Sequence, residues 1–418
     1  MLHAVAQPAK AHAIELLEGA RALFPALVAA IDGARVEVAL ETYIFDPTGA
    51  GASVAEALIR AASRGVITRV VVDAIGTGDC LVPWLQRFEQ AGVRLRRYRP
   101  LGWFGWLAPS RWRRLHRKLC VIDGVTAFCG GINILDDWYD PSWGRLTNPR
   151  LDFSVHVRGE LAAEIQTATT RLWQRMKVAD GGLDGTGHAS RPNALQRSEQ
   201  APTSKASASG RPAAAADRRA RPSGQSALLL GDNLRNRHKI ERAYRRAIGA
   251  ARHEIVIASA YFLPGRKLRR ALLHAARRGV RVQLLLQGRY EYFLQFHGVR
   301  PAYRKLLESG VEIYEYAPSF LHAKVAVIDA DGMRPWATVG SSNLDPLSLL
   351  MAREANVVVE ARRFCQHLRK RLNEAMQQEG RRVDLAALAT LPWRERLLDR
   401  VASLLMRVGL LLTGQFRY

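Results

Sequence analysis

Cysteine is scarce in this chain, with four in 418 residues. So few in a chain this long do not make a disulfide framework, and Cys80, Cys120, Cys129 and Cys365 show no CxxC spacing, which argues against a zinc site. A reduced, cytoplasm-facing protein is expected. Acidic residues are also short: 38 Asp and Glu stand against 62 Lys and Arg, a net charge of +24. Long apolar runs are missing too. No uncharged stretch approaches the ~18–20 residues that span a bilayer. Glu15 and Glu18 interrupt the only apolar stretch near the N-terminus, so no signal peptide is evident. Any membrane association is therefore expected to be peripheral.

What is present is positive charge on a chain with 48% hydrophobic residues, enough for a sizeable core. The stretch from Gly181 to Gln225 holds seven Lys and Arg against three Asp and Glu, so most of the excess lies elsewhere. A polyanionic partner follows: a nucleic acid, an anionic membrane or a phosphate-bearing substrate. That same stretch is rich in Gly, Ser, Ala, Pro and Arg, with no aromatic residue and no apolar period. It reads as a disordered linker over 180–225. The linker divides a first domain (1–179) from a second (226–390), and an amphipathic helix (391–418) closes the chain.

The two halves repeat each other. Val36–Asp46 is matched by His253–Pro264, and each run is followed by a helical stretch, an Arg-Gly stop and a Val/Leu-rich strand. Tyr43 to Tyr261 and Pro100 to Pro318 are each 218 residues apart, whereas His116 to His322 is 206. The first half thus carries 12 extra residues before its histidine. The β-α-β-α-β pattern with continuous apolar strands predicts an α/β fold, two similar units related by a pseudo-two-fold.

Two short runs carry chemistry: HRKLCVIDG from His116 and HAKVAVIDADG from His322. Each reads as a strand, a tight turn and a second strand. In a strand, residues i and i+2 share a face, so each His points the same way as its lysine, Lys118 or Lys324. A neutral imidazole can attack phosphorus and form a phosphohistidine, and a protonated one can give its proton to a leaving alkoxide. No cluster with metal-ligand spacing appears, so neither a metal nor a cofactor is expected. Asp123 and Asp329 fall at the hairpin turns, where bonding to turn amides is the expected role.

Both runs match the HxK-x4-D signature, with its downstream Gly and Asn, of the phospholipase D superfamily. The matching residues are His116, Lys118, Asp123, Gly130 and Asn133, and then His322, Lys324, Asp329, Gly340 and Asn343. The resemblance implies two α-β-α sandwich domains with the active site at their interface. It implies a catalytic set of His116, Lys118, Asp123, His322, Lys324 and Asp329, with His116 the nucleophile and His322 the acid. Asn133, Asn343 and Ser341 would bind the phosphate. Asp152 and Glu354, each after its hairpin, are candidates to orient the imidazoles. Gly131 stands where the family commonly has serine, which removes one hydroxyl ligand and implies asymmetric roles.

Within the superfamily the pattern is most similar to bacterial cardiolipin synthases of the type B subclass. That resemblance implies phosphatidyl transfer between two phosphatidylglycerols, releasing glycerol, at the cytoplasmic side of the bacterial inner membrane. A phospholipase or nuclease of the same fold is the alternative, and a non-catalytic membrane-binding protein is another. Trp103, Phe104, Trp106 and Leu107, followed by Arg111, Trp112, Arg113 and Arg114, suit an anionic headgroup boundary better than single-stranded nucleic acid. Leu397, Leu398, Val401, Leu404, Leu405, Val408, Leu411 and Leu412 keep helical spacing, with Arg396, Arg400, Ser403 and Arg407 opposite. That helix could lie on a membrane or pack in the core. The sequence leaves the oligomeric state open.

Overall fold

The computed structural model describes residues 13–100, 113–179, 226–231, 236, 238–290, 293–345, 352–390 and 392–412. The linker reading for 180–225 and the aromatic–arginine stretch up to Trp112 fall outside these residues.

The first half supplies β1 (Ile14–Glu18), α1 (Gly19–Asp32), β2 (Glu37–Thr42), α2 (Gly51–Ser63), β3 (Ile67–Asp73), α3 (Leu85–Ala91) and β4 (Arg94–Tyr98). It continues with β5 (Arg114–Leu115), β6 (Lys118–Ile122), β7 (Thr126–Gly130), the small pair β8 (Tyr139–Asp140) and β9 (Gly144–Arg145), β10 (Phe153–Arg158) and α4 (Glu160–Ala179). Seven of these strands form one sheet in the order β1-β10-β7-β6-β2-β3-β4. β2, β3 and β4 run parallel, and β6, β7 and β10 are antiparallel.

The second half repeats the plan with β11 (Ser226–Gly231), α5 (Lys239–Ala250), β12 (Glu254–Ser259), α6 (Arg266–Arg277), β13 (Arg281–Gln287), α7 (Phe293–Leu307) and β14 (Glu312–Tyr316). β15 (Lys324–Ile328), β16 (Trp336–Gly340), β17 (Ala352–Val359) and β18 (Gly380–Arg382) follow. The sheet order β11-β17-β16-β15-β12-β13-β14 is the first sheet over again, extended by β18. Local details repeat as well: Thr42 bonds the Ile44 carbonyl at 2.9 Å, and Ser259 bonds the Tyr261 carbonyl at 2.8 Å.

The alternation of the hairpins decides the layers. Cys120 and Ile122 face α1 and α2 in an outer core. Leu119 and Val121 face the other way, into a central core that they share with Val325, Val327, Val339 and Val357 of the second half. One apolar core therefore spans both halves, so their mutual docking buries surface as folding itself does. Two backbone contacts register the halves. β5 leaves its own hairpin and pairs in parallel with β17, and Leu151 bridges Leu321.

The positive charge is uneven. A groove of about 490 Å³ between α5 and α6 is lined by Arg242, Arg245, Arg246, Lys267, Arg270 and His274, with no carboxylate among its walls. The equivalent helices of the first half, GARALFPALVAAID and GASVAEALIRAAS, carry two arginines and two acids.

Candidate active site

His116 lies between β5 and β6, and His322 just before β15, so neither histidine belongs to a regular strand as the spacing predicts. Each sits where the chain crosses from one sheet to the other. The His116 amide donates to the Arg353 carbonyl at 3.0 Å, and the His322 amide to the Leu151 carbonyl at 2.9 Å. Both partners immediately precede a carboxylate, Glu354 and Asp152. The imidazoles are consequently held crosswise. His116 Nδ1 meets Glu354 Oε1 at 2.9 Å, and His322 Nδ1 meets Asp152 Oδ2 at 2.6 Å. Each of these two imidazoles takes its carboxylate from the opposite half. The sequence reading picks out both carboxylates but not this exchange.

An ionised carboxylate only accepts, so each Nδ1 carries the proton and each Nε2 is left for substrate. About a fifth of each histidine side chain is exposed, while the two carboxylates are almost wholly buried. Lys118 and Lys324 are buried alongside and donate to the His116 and His322 carbonyls, the first at 2.7 Å. Tyr43, an aromatic that the repeat marks without assigning, tilts against His116 at 5.0 Å between ring centroids. Its ring centre lies 5.5 Å from Lys118 Nζ.

The electrostatics are those of a largely buried, cationic site. Burial and the charges of Lys324, Lys118 and His116 push the His322 pKa well below its ordinary value. Burial lowers His116 as well, against the pull of Glu354. Burial and Lys324 bring Lys118 down to about 7, and burial raises Asp152 to about 6. Both imidazoles are therefore neutral before substrate arrives, and an incoming phosphodiester anion supplies the charge that allows one to be protonated.

Asp123 and Asp329 do not join the site. They lie at the far ends of β6 and β15, about 16 Å along a five-residue strand. Each has positive φ and accepts three backbone amides: Arg35, Val36 and Glu37 for Asp123, and Arg252, His253 and Glu254 for Asp329, all at 2.8–2.9 Å. They clamp each hairpin turn to the start of the neighbouring strand. Their place in the catalytic set is thus corrected to that of structural acceptors.

Ser341 is also reassigned. Its hydroxyl donates to Glu354 and accepts from the Ala355 amide at 3.1 Å, so it steadies a carboxylate and is not turned to a phosphate. Gly131, its counterpart, explains the departure from the family pattern. A Cβ there would stand 2.3 Å from Asp152 Oδ1, so the shorter acid fills the space that a serine would need. Asn133 accepts from the Ile44 amide at 3.2 Å, which leaves its Nδ2 donors. Asn343 is buried, with Oδ1 unpartnered among the described residues. Asp73, which the sequence reading passes over, is fully buried and takes the Leu115 amide at 2.8 Å, fixing the approach to His116.

Among the described residues, His297, Glu395 and Asp399 form one group with metal-ligand spacing. It belongs to the contact of α7 with the C-terminal helix. There His297 Nδ1 meets Asp399 at 2.7 Å, and Arg300 meets Glu395 at 3.1 Å, so both acids already have partners within the protein.

A family model described as "Cardiolipin synthase, PLD-like domain" matches residues 27–143 and 244–376. Cardiolipin synthase B of Escherichia coli (strain K12) is 34% identical over 390 residues, which cover 91% of this chain and 84% of that protein. Cardiolipin synthase B of Salmonella typhi is 35% identical over 393 residues, with 91% and 84% covered. The crystal structure of phosphatidylserine synthase from Haemophilus influenzae superposes with a TM-score of 0.64 at 12% identity, covering 97% of this chain and 95% of that one. The last likeness concerns the fold alone.

Proposed function

The chain belongs to the cardiolipin synthase family with phospholipase-D-like domains, and from that premise we propose that it joins two phosphatidylglycerols into cardiolipin through a phosphohistidine. The observation that carries this reading is the crossed pair of Nδ1-held imidazoles, near enough to each other that the charges of His116 and of both lysines act on His322.

In the first step His116 Nε2 attacks the phosphorus of one phosphatidylglycerol. The N–P bond forms as the P–O bond to glycerol breaks, and His322 Nε2–H protonates the departing oxygen. In the second step a headgroup hydroxyl of another phosphatidylglycerol gives its proton to His322 Nε2 and attacks phosphorus. The N–P bond breaks and cardiolipin leaves. Glu354 and Asp152 stabilise whichever imidazole is cationic. Lys118, Lys324 and the amides of Asn133 and Asn343 face the oxyanions. The buried pocket favours a lipid alcohol over water at the phosphohistidine.

Assigning His116 as nucleophile follows the family. The stronger depression of His322 in the free site means that it becomes an acid only once the phosphodiester is bound. Turnover of labelled phosphatidylglycerol tests the reading: cardiolipin and glycerol should form in equal amounts, and His116→Ala should form neither. Cleavage of single-stranded DNA without any diacyl product, or release of phosphatidic acid alone, would assign a hydrolase.

A further inference from the structure

The C-terminal helix, Trp393–Leu412, exposes a large apolar face. An amphipathic helix on a globular protein normally lays its apolar stripe on the core. Among the residues whose side chains are described, the side facing α7 is small and polar. Ala402 and Asp399 are buried there, and the helix is held by His297–Asp399 and Arg300–Glu395. The large apolar residues whose side chains are described face outward. Trp393 is 70% exposed, Leu397 51%, Leu404 61% and Leu405 51%, with Leu398, Val401 and Val408 near 40%. At 3.6 residues per turn these seven fall within an arc of about 140° and a length of about 22 Å. Arg394 lies among them, its guanidinium 5.7 Å from the Trp393 ring centre, and exposed Arg396 and Arg400 border the arc.

We propose that this face is a docking surface for an anionic bilayer, with the helix lying in the headgroup plane and its apolar arc sunk among the acyl chains. An apolar arc edged by arginines and opened by a tryptophan complements a negative interface on both counts. A second copy is the poorer partner, because pairing the face across a two-fold would bring Arg394 and Arg400 close to their own images. No described helix is long and apolar enough to cross a membrane, so a surface mode of attachment is what this helix can supply. The choice of a lipid occupant rests on the phosphatidyl-transfer reading. It adds how an enzyme of that kind would reach substrate held in a membrane.

The test uses the full-length protein and the triple variant Leu397→Gln/Leu404→Gln/Leu405→Gln. All three positions are exposed, so the thermal midpoint should not move. Sedimentation with vesicles of phosphatidylglycerol and phosphatidylcholine should give at least about a tenfold loss of partitioning in the variant. Trp393 fluorescence in the unmodified protein should shift to the blue on these vesicles. Transfer from phosphatidylglycerol in vesicles should fall in parallel, while transfer from a dispersed short-chain phosphatidylglycerol stays unchanged. Absence of short-chain transfer in the unmodified protein would reject the enzymatic reading while leaving vesicle binding to be judged separately. Equal vesicle binding by both proteins would overturn the proposal. So would a dimer that the variant converts to monomer without any change in vesicle binding.

Discussion

Asp152→Asn makes the sharpest test of the crossed site. The Phe153 amide donates to Asp152 Oδ1 at 2.8 Å, while Oδ2 receives His322 Nδ1 at 2.6 Å. In the asparagine variant the amide of Phe153 keeps the carbonyl oxygen, so the NH2 group must face Nδ1. His322 then turns its lone pair to Nδ1 and carries its proton on Nε2. It can neither be made cationic cheaply nor accept a proton from an incoming alcohol. Loss of a charge-assisted bond of about 1.5–3 kcal/mol, together with the wrong tautomer, should lower kcat on phosphatidylglycerol by about 100-fold or more. A phosphatidyl ester of p-nitrophenol separates the steps, because its leaving group needs no acid. The variant should release a burst of nitrophenol equal to the enzyme present, then turn over slowly, with the phosphatidyl group trapped on His116. Glu354→Gln, which unsettles the nucleophile instead, should give no burst. A kcat for Asp152→Asn within threefold of the unmodified enzyme, or label on His322, would refute the reasoning.

Lys118→Met removes a charge that lowers both imidazoles, so both pKa values should rise. The acid limb of kcat/KM, set by loss of the neutral base, should move to higher pH, and kcat should fall about 100-fold or more. Gly131→Ser places a Cβ against Asp152 and should cost at least about tenfold in turnover, with the first step recovered on the nitrophenyl ester. Asp123→Asn weakens three amide bonds without touching the pocket. Stability should drop by about 1–3 kcal/mol in urea melts, with activity per folded molecule kept within about twofold. The backbone amides it accepts hold the Asp123 carboxyl low. Its contribution is therefore present above the unfolded carboxyl pKa of about 4 and lost as pH falls through the folded value. The variant's acid destabilisation should be correspondingly shallower.

Much of the fold is legible because it is local. The alternation from Lys118 to Ile122 sorts Cys120 from Leu119 into different layers, and the 218-residue repeat implies that what is true of one half holds for the other. The strand reading errs at His116 and His322 because β5 and Leu151 leave their own sheets there, and no periodicity marks a chain that changes partner. Asp152 and Glu354 stand out by position, but which imidazole each reaches is a property of docking, written in no spacing. Asp123 illustrates the reverse case: an acid at a hairpin turn is read as an amide acceptor from sequence, yet the signature groups it with the catalytic residues. Ser341 and Gly131 look like a phosphate ligand present and absent until the neighbouring carboxylates occupy their surroundings.

The exchange of orienting acids ties chemistry to assembly. An isolated half would hold a histidine, a lysine and a well-formed sheet, yet its imidazole would swing freely and face no counterpart. On the proposed chemistry, newly made or partly unfolded chains are inert toward phosphodiesters, and competence arrives with the same closure that hides the central apolar layer.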